Sequence, residues 1–177
     1  MKVRELTFIG IFTTIIAVCS WISIPTVVPF TLQTLGIFLA VELLGGKRGS
    51  MAVLVYILLG AIGLPVFAGF SGGIGVLLGC KGGYIIGFIT ISLVIWGIIC
   101  CFGDNTLSHI IGMLTGLLVC YTLGTAWFLI VYTRSNGYVS LRTVISWCVL
   151  PFIIPDLVKL WAAFLITKRL KPHIHLD

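Results

Sequence analysis

Charge is what this chain has least of. Five of its 177 residues are acidic, and 9% carry a side-chain charge of either sign. Soluble domains keep about a quarter of their residues charged. Together with 59% hydrophobic residues, this scarcity excludes a fold that hides its apolar surface in one water-soluble core. The acidic deficit leaves a formal charge of +6. The basic residues stand at the ends of apolar runs instead of alternating with aromatics on one polar face, so they read as topology signals and exclude nucleic-acid binding. The motifs of chemistry are missing too. Segment 69–79 is glycine-rich but lacks a Gly-Lys-Ser/Thr ending, which rejects a nucleotide site. Cys19, Cys100, Cys101, Cys120 and Cys148 lie in apolar segments without Cys-x-x-Cys spacing, and His109, His173 and His175 have no partners at metal-ligand spacing. No metal, cofactor or disulfide framework is expected.

What is abundant is apolar run. A helix crossing roughly 30 Å of hydrocarbon needs about 20 residues, and the runs separated by Gly, Pro or charge predict helices over 3–24, 31–46, 49–68, 81–102, 107–132 and 143–168. The expected fold is an all-α integral membrane protein, a six-transmembrane-helix bundle forming one domain over residues 1–177. The first run follows Lys2 and Arg4 but is long for a signal sequence and reads as a retained helix. The second run contains Gln33, Thr34 and Glu42 and should be shielded by neighbours. Six crossings put both termini on one side. Lys2, Arg4, Lys47, Arg48, Lys168, Arg169 and Lys171 fall there, against Lys81, Arg134 and Arg142 on the other, so the termini are expected in the cytoplasm. Pro151 and Pro155 are expected to break the last helix, with a new helix starting near Pro155 and Asp156 in its first turn.

Asp156 and Lys159 carry the sharpest signal. Three residues apart, they share one helix face, and each would cost about 2.5–3.5 kcal/mol unpaired at mid-membrane. They serve each other as a packing pin, or a ligand, or both. Thr31, Gln33 and Thr34, at the outer end of the second helix, add hydroxyl and amide groups suited to a hydrogen-bonding ligand, although Thr31 as a helix cap and Gln33 as an interhelical bond are equally open. In the glycine-rich loop, Gly72 and Gly73 permit close backbone approach, and Phe70 and Tyr84 offer apolar walls; a merely flexible outer loop is the alternative. Gly10 with Thr14, and Thr13 with Ala17, form small-xxx-small pairs on the first helix, for internal packing or for a partner helix. Glu42 lies close to Lys47 and Arg48 and reads as an interfacial ion.

Four segments carry a resemblance: Val28-Pro29-Phe30-Thr31-Leu32-Gln33-Thr34-Leu35-Gly36, Leu59 to Gly69 (LGAIGLPVFAG), Gly82-Gly83-Tyr84, and Pro155-Asp156-Leu157-Val158-Lys159. In this order the chain resembles the BioY family, the biotin-specific substrate-binding subunits (S components) of energy-coupling-factor (ECF) transporters, over about residues 4–171. The resemblance implies a six-helix bundle in the cell membrane that binds biotin from outside. It further implies that uptake depends on a transmembrane coupling subunit and two cytoplasmic ATPases. It assigns ligand binding to Asp156 and Lys159, with the second helix's outer end and the glycine-rich loop closing over the ligand. Two departures stand out. Related chains often have an Ala-xxx-Ala stripe where this one has Thr13 and Ala17, and they commonly have proline before the glycine pair where this one reads Gly79-Cys80-Lys81-Gly82.

Other readings are an S component for another vitamin or a biotin analogue, a scaffold whose Asp156–Lys159 pair is only structural, and a membrane enzyme with Asp156 as base. The enzyme reading fails for want of a nucleophile, metal set or second catalytic carboxylate.

Overall fold

A computed structural model describes residues 2–173, so His175 and the remaining C-terminal residues lie outside the description. Helix α1 spans Val3–Trp21 and is followed by a two-stranded antiparallel ribbon, β1 (Ser23–Ile24) and β2 (Phe30–Thr31), with Ser23 opposite Thr31. Pro25 and Pro29 lie in the connection, where neither an internal donor nor helical geometry is required. Helix α2 is Gln33–Leu44 and α3 is Gly46–Ala61. A single residue, Gly45, joins them at φ +79°, a conformation that favours glycine.

Helix α2 would extend about 18 Å, shorter than the roughly 30 Å of hydrocarbon. All its residues except Leu35 and Leu39 are buried. This is the shielding that its polar content demanded. It packs on α3, α8 and α1, and a Cβ on Gly49 of α3 would lie 2.5 Å from the Val41 Cα. Residues 62–68, expected as helix, are instead a turn region that seats Phe67 over Gly60, and Phe67 pairs with Ser71 across a short bridge. A one-turn helix α4 (Ile74–Leu78) leads into α5, Gly82–Phe102.

The largest helix interface joins α5 to α6, Thr106–Asn136. Gly112, Gly116, Cys120 and Gly124 recur every four residues along α6 and face Ile95, Ile91, Gly87 and Tyr84 of α5. Small residues at this spacing let two helix backbones approach closely where no hydrophobic effect drives them together. Asn105 caps α6 by accepting from Ser108 N at 2.9 Å.

The last run divides into α7 (Leu141–Cys148) and α8 (Leu150–Leu170), followed by a 3-10 turn at Lys171–His173. The break sits at Val149 (φ −124°, ψ −57°), not at Pro155. Pro151 takes the first-turn position, where its missing donor matters least, and Pro155 lies inside α8. Asp156 is therefore the seventh residue of α8, beyond the first turn in which it was expected. α1, α5, α6 and the α7–α8 pair are each long and apolar enough to cross a membrane. Many large apolar side chains point outward from the bundle, among them Ile11, Leu93, Leu118, Leu157 and Trp161, as a lipid-facing surface requires.

Candidate functional site

Six parts of the fold converge on one cavity of about 720 Å³ including its mouth and open space: the β1–β2 ribbon, the start of α2, the loop 62–81, the start of α5, the middle of α6, and the end of α7 with the first half of α8. Most of the wall is apolar, with Phe88, Leu117 and Phe152 among its residues. The polar groups cluster around Asp156.

Asp156 is 3% exposed and its carboxylate is gripped by three elements. Lys159 Nζ donates to Oδ1 at 2.7 Å, Thr34 Oγ1 of α2 donates to the same oxygen at 2.9 Å, and Tyr121 OH of α6 donates to Oδ2 at 2.5 Å. Lys159 is buried as well, and its ammonium lies 4.3 Å from the centre of the Phe30 ring. A cation over an aromatic face in a desolvated setting is stabilised by about 2 kcal/mol, which helps to hold a lysine in a largely apolar wall. The pair is electrically neutral, so it can be buried without a net charge.

A second polar chain runs beside it. Thr31 Oγ1 donates to Gln33 Oε1 at 3.0 Å, Gln33 Nε2 donates to Tyr56 OH at 2.5 Å, and Tyr56 OH donates to the Val66 carbonyl at 3.1 Å. With its amide nitrogen engaged on Tyr56, Gln33 keeps acceptor capacity on Oε1. Thr31 lies in β2 and also accepts from Gln33 N at 3.2 Å, so it serves the helix start and the cavity together.

Of the residues singled out in the sequence, Thr31, Gln33, Thr34, Tyr84, Asp156 and Lys159 line this one cavity. Phe70, Gly72 and Gly73 do not. Phe70 is 64% exposed and stacks on Trp21 at 5.1 Å. Gly72 is pressed against Leu64, where a Cβ would meet the carbonyl oxygen at 2.2 Å, and Gly73 N donates to Gly60 O at 2.6 Å. These glycines shape the loop rather than the wall. Tyr121, Phe30 and Lys81 belong to the site and were missed; an isolated tyrosine in an apolar helix carries no periodic signal that separates it from filler.

The small pairs of α1 part company. Thr13 and Ala17 are buried, with Thr13 Oγ1 within 3.1 Å of the Ala52 carbonyl of α3, whereas Gly10 and Thr14 face outward. Glu42 is no interfacial ion. It is 4% exposed and pairs with His109 Nδ1 at 2.7 Å, while Arg48 pairs with Glu5. His109 Nε2 contacts Asp104, and Lys171 approaches the same carboxylate at 3.4 Å.

The arrangement around Asp156 is suited to a ligand that presents an N–H next to a carbonyl. A carboxylate offers about four lone-pair sites; two are filled on Oδ1 and one on Oδ2, which leaves one acceptor position. Lys159 retains two donors. Acceptor and donor side by side match a cyclic urea or amide.

A family model described as the BioY family matches residues 1–175. The chain is 45% identical over 170 residues to a protein of Thermotoga maritima named biotin transporter BioY, covering 95% of this chain and 96% of that one. It is 39% identical over 172 residues to a probable biotin transporter BioY of Pyrococcus horikoshii, covering 97% and 98%. Its fold is similar to a crystal structure of the S-component for biotin from an ECF-type ABC transporter, with a TM-score of 0.82 and 31% identity over 96% of this chain and 92% of that one.

Proposed function

Because this chain belongs to the BioY family, we propose that it is a multi-pass membrane protein that binds biotin in the cavity around Asp156 and mediates its uptake as the S component of an ECF transporter. It is a transport subunit and not an enzyme. The observation that carries the ligand assignment is the buried Asp156–Lys159 pair with one acceptor and two donors to spare. In the pose we favour, Asp156 Oδ2 accepts one ureido N–H of biotin and Lys159 donates to the ureido carbonyl. Gln33 Oε1, with Thr31 beside it, is placed to accept the second N–H, and Thr34 holds Asp156 in register. Phe88, Leu117 and Phe152 enclose the apolar rings, and Tyr84 forms part of the outer wall.

The finer organisation follows from the same reading. The single domain crosses the plasma membrane six times, with α2 and α3 as the short crossings and α7 with α8 as one. Both termini are cytoplasmic, and the cavity opens outward. No ATP-binding motif is present in the sequence, so energy comes from partners: a transmembrane coupling subunit and two cytoplasmic ATPases. Gly10 and Thr14 are the small-xxx-small pair of α1 that faces outward, and they are where we place the coupling subunit.

The test is a panel of vitamins in a thermal-shift assay on detergent-purified protein. Ligand at a hundred times its dissociation constant stabilises the folded state by about 2.7 kcal/mol. Biotin is expected to raise the melting temperature while riboflavin and thiamine leave it unchanged; a shift with another vitamin and none with biotin would reassign the substrate.

A further inference from the structure

The cavity contains one cation that the grip on Asp156 does not use. Lys81 lines its mouth, is exposed, and among the described residues its ammonium has no hydrogen-bond or ion-pair partner. Its backbone is fixed nonetheless. The Lys81 carbonyl accepts from Tyr84 N at 3.1 Å and Ile85 N at 3.3 Å, the first bonds of α5. The preceding Gly79 carbonyl accepts from Trp127 Nε1 of α6 at 3.0 Å. Gly82, next in line, is so close to Leu77 that a Cβ would meet its carbonyl oxygen at 1.6 Å. A flexible lysine thus stands on a rigid corner at the rim, where the positive end of the α5 dipole adds to its field.

Charge balance inside the cavity gives this lysine a task. Lys159 is neutralised by Asp156 at 2.7 Å and covered by Phe30. The lining has no further lysine or arginine besides Lys81. Away from the Asp156 cluster most of the lining is apolar, with Val28, Val76 and Ile85 among its residues. A ligand whose polar head sits on Asp156 and whose aliphatic chain follows this wall therefore brings a terminal carboxylate toward Lys81, and burying that carboxylate unpaired would be unfavourable.

Resting on the biotin reading above, we propose that Lys81 supplies the counter-charge for the ligand's terminal carboxylate and makes the site selective for the free acid over neutral esters and amides. The deep cluster then fixes the head group and the rim fixes the state of the tail. Biotin joined through its carboxylate to an amine loses this interaction and is discriminated against.

The test compares biotin with biotinamide on wild-type protein and on Lys81→Met, Lys81→Gln and Lys81→Arg, with dissociation constants measured at low and high salt. The wild type is expected to bind biotin about three- to tenfold more tightly than biotinamide, a preference reduced by salt, as for a charge-assisted contact near a surface. Lys81→Met and Lys81→Gln should lose that preference by weakening biotin alone, and Lys81→Arg should keep it. An undiminished preference in both neutral variants overturns the proposal, as does equal weakening of both ligands, which would mark a structural role. A wild type that binds both ligands equally also overturns it. Failure of the folded wild type to bind either ligand is a separate result that overturns the biotin reading itself.

Discussion

Asp156 accepts from three donors, on α2, α6 and its own helix. Hydrogen bonds to a charged group contribute about 1.5–3 kcal/mol each, so the carboxylate is held in one orientation and the ligand need not order it. Tyr121 is a positioning residue in this account. Tyr121→Phe removes the donor on Oδ2 and keeps the ring, and it is expected to weaken biotin binding about tenfold or more while Lys159→Ala removes it. A Tyr121→Phe protein with unchanged affinity would mean that Oδ2 needs no organisation. The charged pair was legible in the sequence because ionisable groups in an apolar run have no bland location. Its partners were not equally legible. Thr34 stood out as polar in a short helix, whereas Tyr121 and Phe30 are ordinary components of apolar segments and acquire meaning only through the packing of α2 and α6 on α8.

Helices α2, α6 and α8 meet at two levels. Thr34, Tyr121 and Asp156 join them at the cavity; farther toward the C-terminal end of α2, Glu42 pairs with His109 of α6, and Lys171, just after α8, reaches Asp104, just before α6. The levels are about 12 Å apart along α2 and about 18 Å along α6. The second level is structural: Glu42→Gln removes the buried one of the two carboxylates that face His109, and breaking a buried pair costs up to about 3–5 kcal/mol. We expect a melting temperature lower by about 5 °C or more, with wild-type affinity for biotin in the folded fraction. Lost affinity without lost stability would instead couple the two levels. Asp104 lies outside the membrane-crossing helices, and the hydrogen bond from His109, followed by the nearby Lys171 charge, holds its carboxyl below the usual carboxylate range. A depressed carboxylate stabilises the fold above its unfolded value and loses that contribution as pH falls through the folded one. Melts from pH 7 down to pH 3 should therefore show a smaller acid loss for Asp104→Asn than for wild type. The sequence indicated each long helix and the burial of α2, since hydrophobic runs and stray polar groups are local signals. It misjudged residues 62–68 and the break at Val149, because apolar turns read as helix until Phe67 is seen packed on Gly60, and because proline tolerates the first turn as well as it breaks an interior.

At the scale of the whole molecule, the inner surface binds and the outer surface meets lipid and partners. Exposed apolar residues cover the bundle, but α1 alone places the small pair Gly10 and Thr14 outward among the residues expected to dock. Gly10→Phe fills that face without touching the cavity. It is expected to leave biotin affinity unchanged and to reduce co-purification with the coupling subunit; intact assembly would move the docking face elsewhere on the bundle. The buried Thr13 and Ala17 should respond in stability instead. That division was illegible in the sequence, since two such pairs offset by three residues look alike until the neighbours of α1 are known. The central claim, a biotin site built on the Asp156–Lys159 pair, is tested most directly by calorimetric titration of biotin into purified wild-type and Asp156→Asn protein, each first checked for a cooperative melt. Saturable heat is expected with the wild type and none with a folded Asp156→Asn protein. Equal heats from the two, or none from a folded wild type, would contradict it.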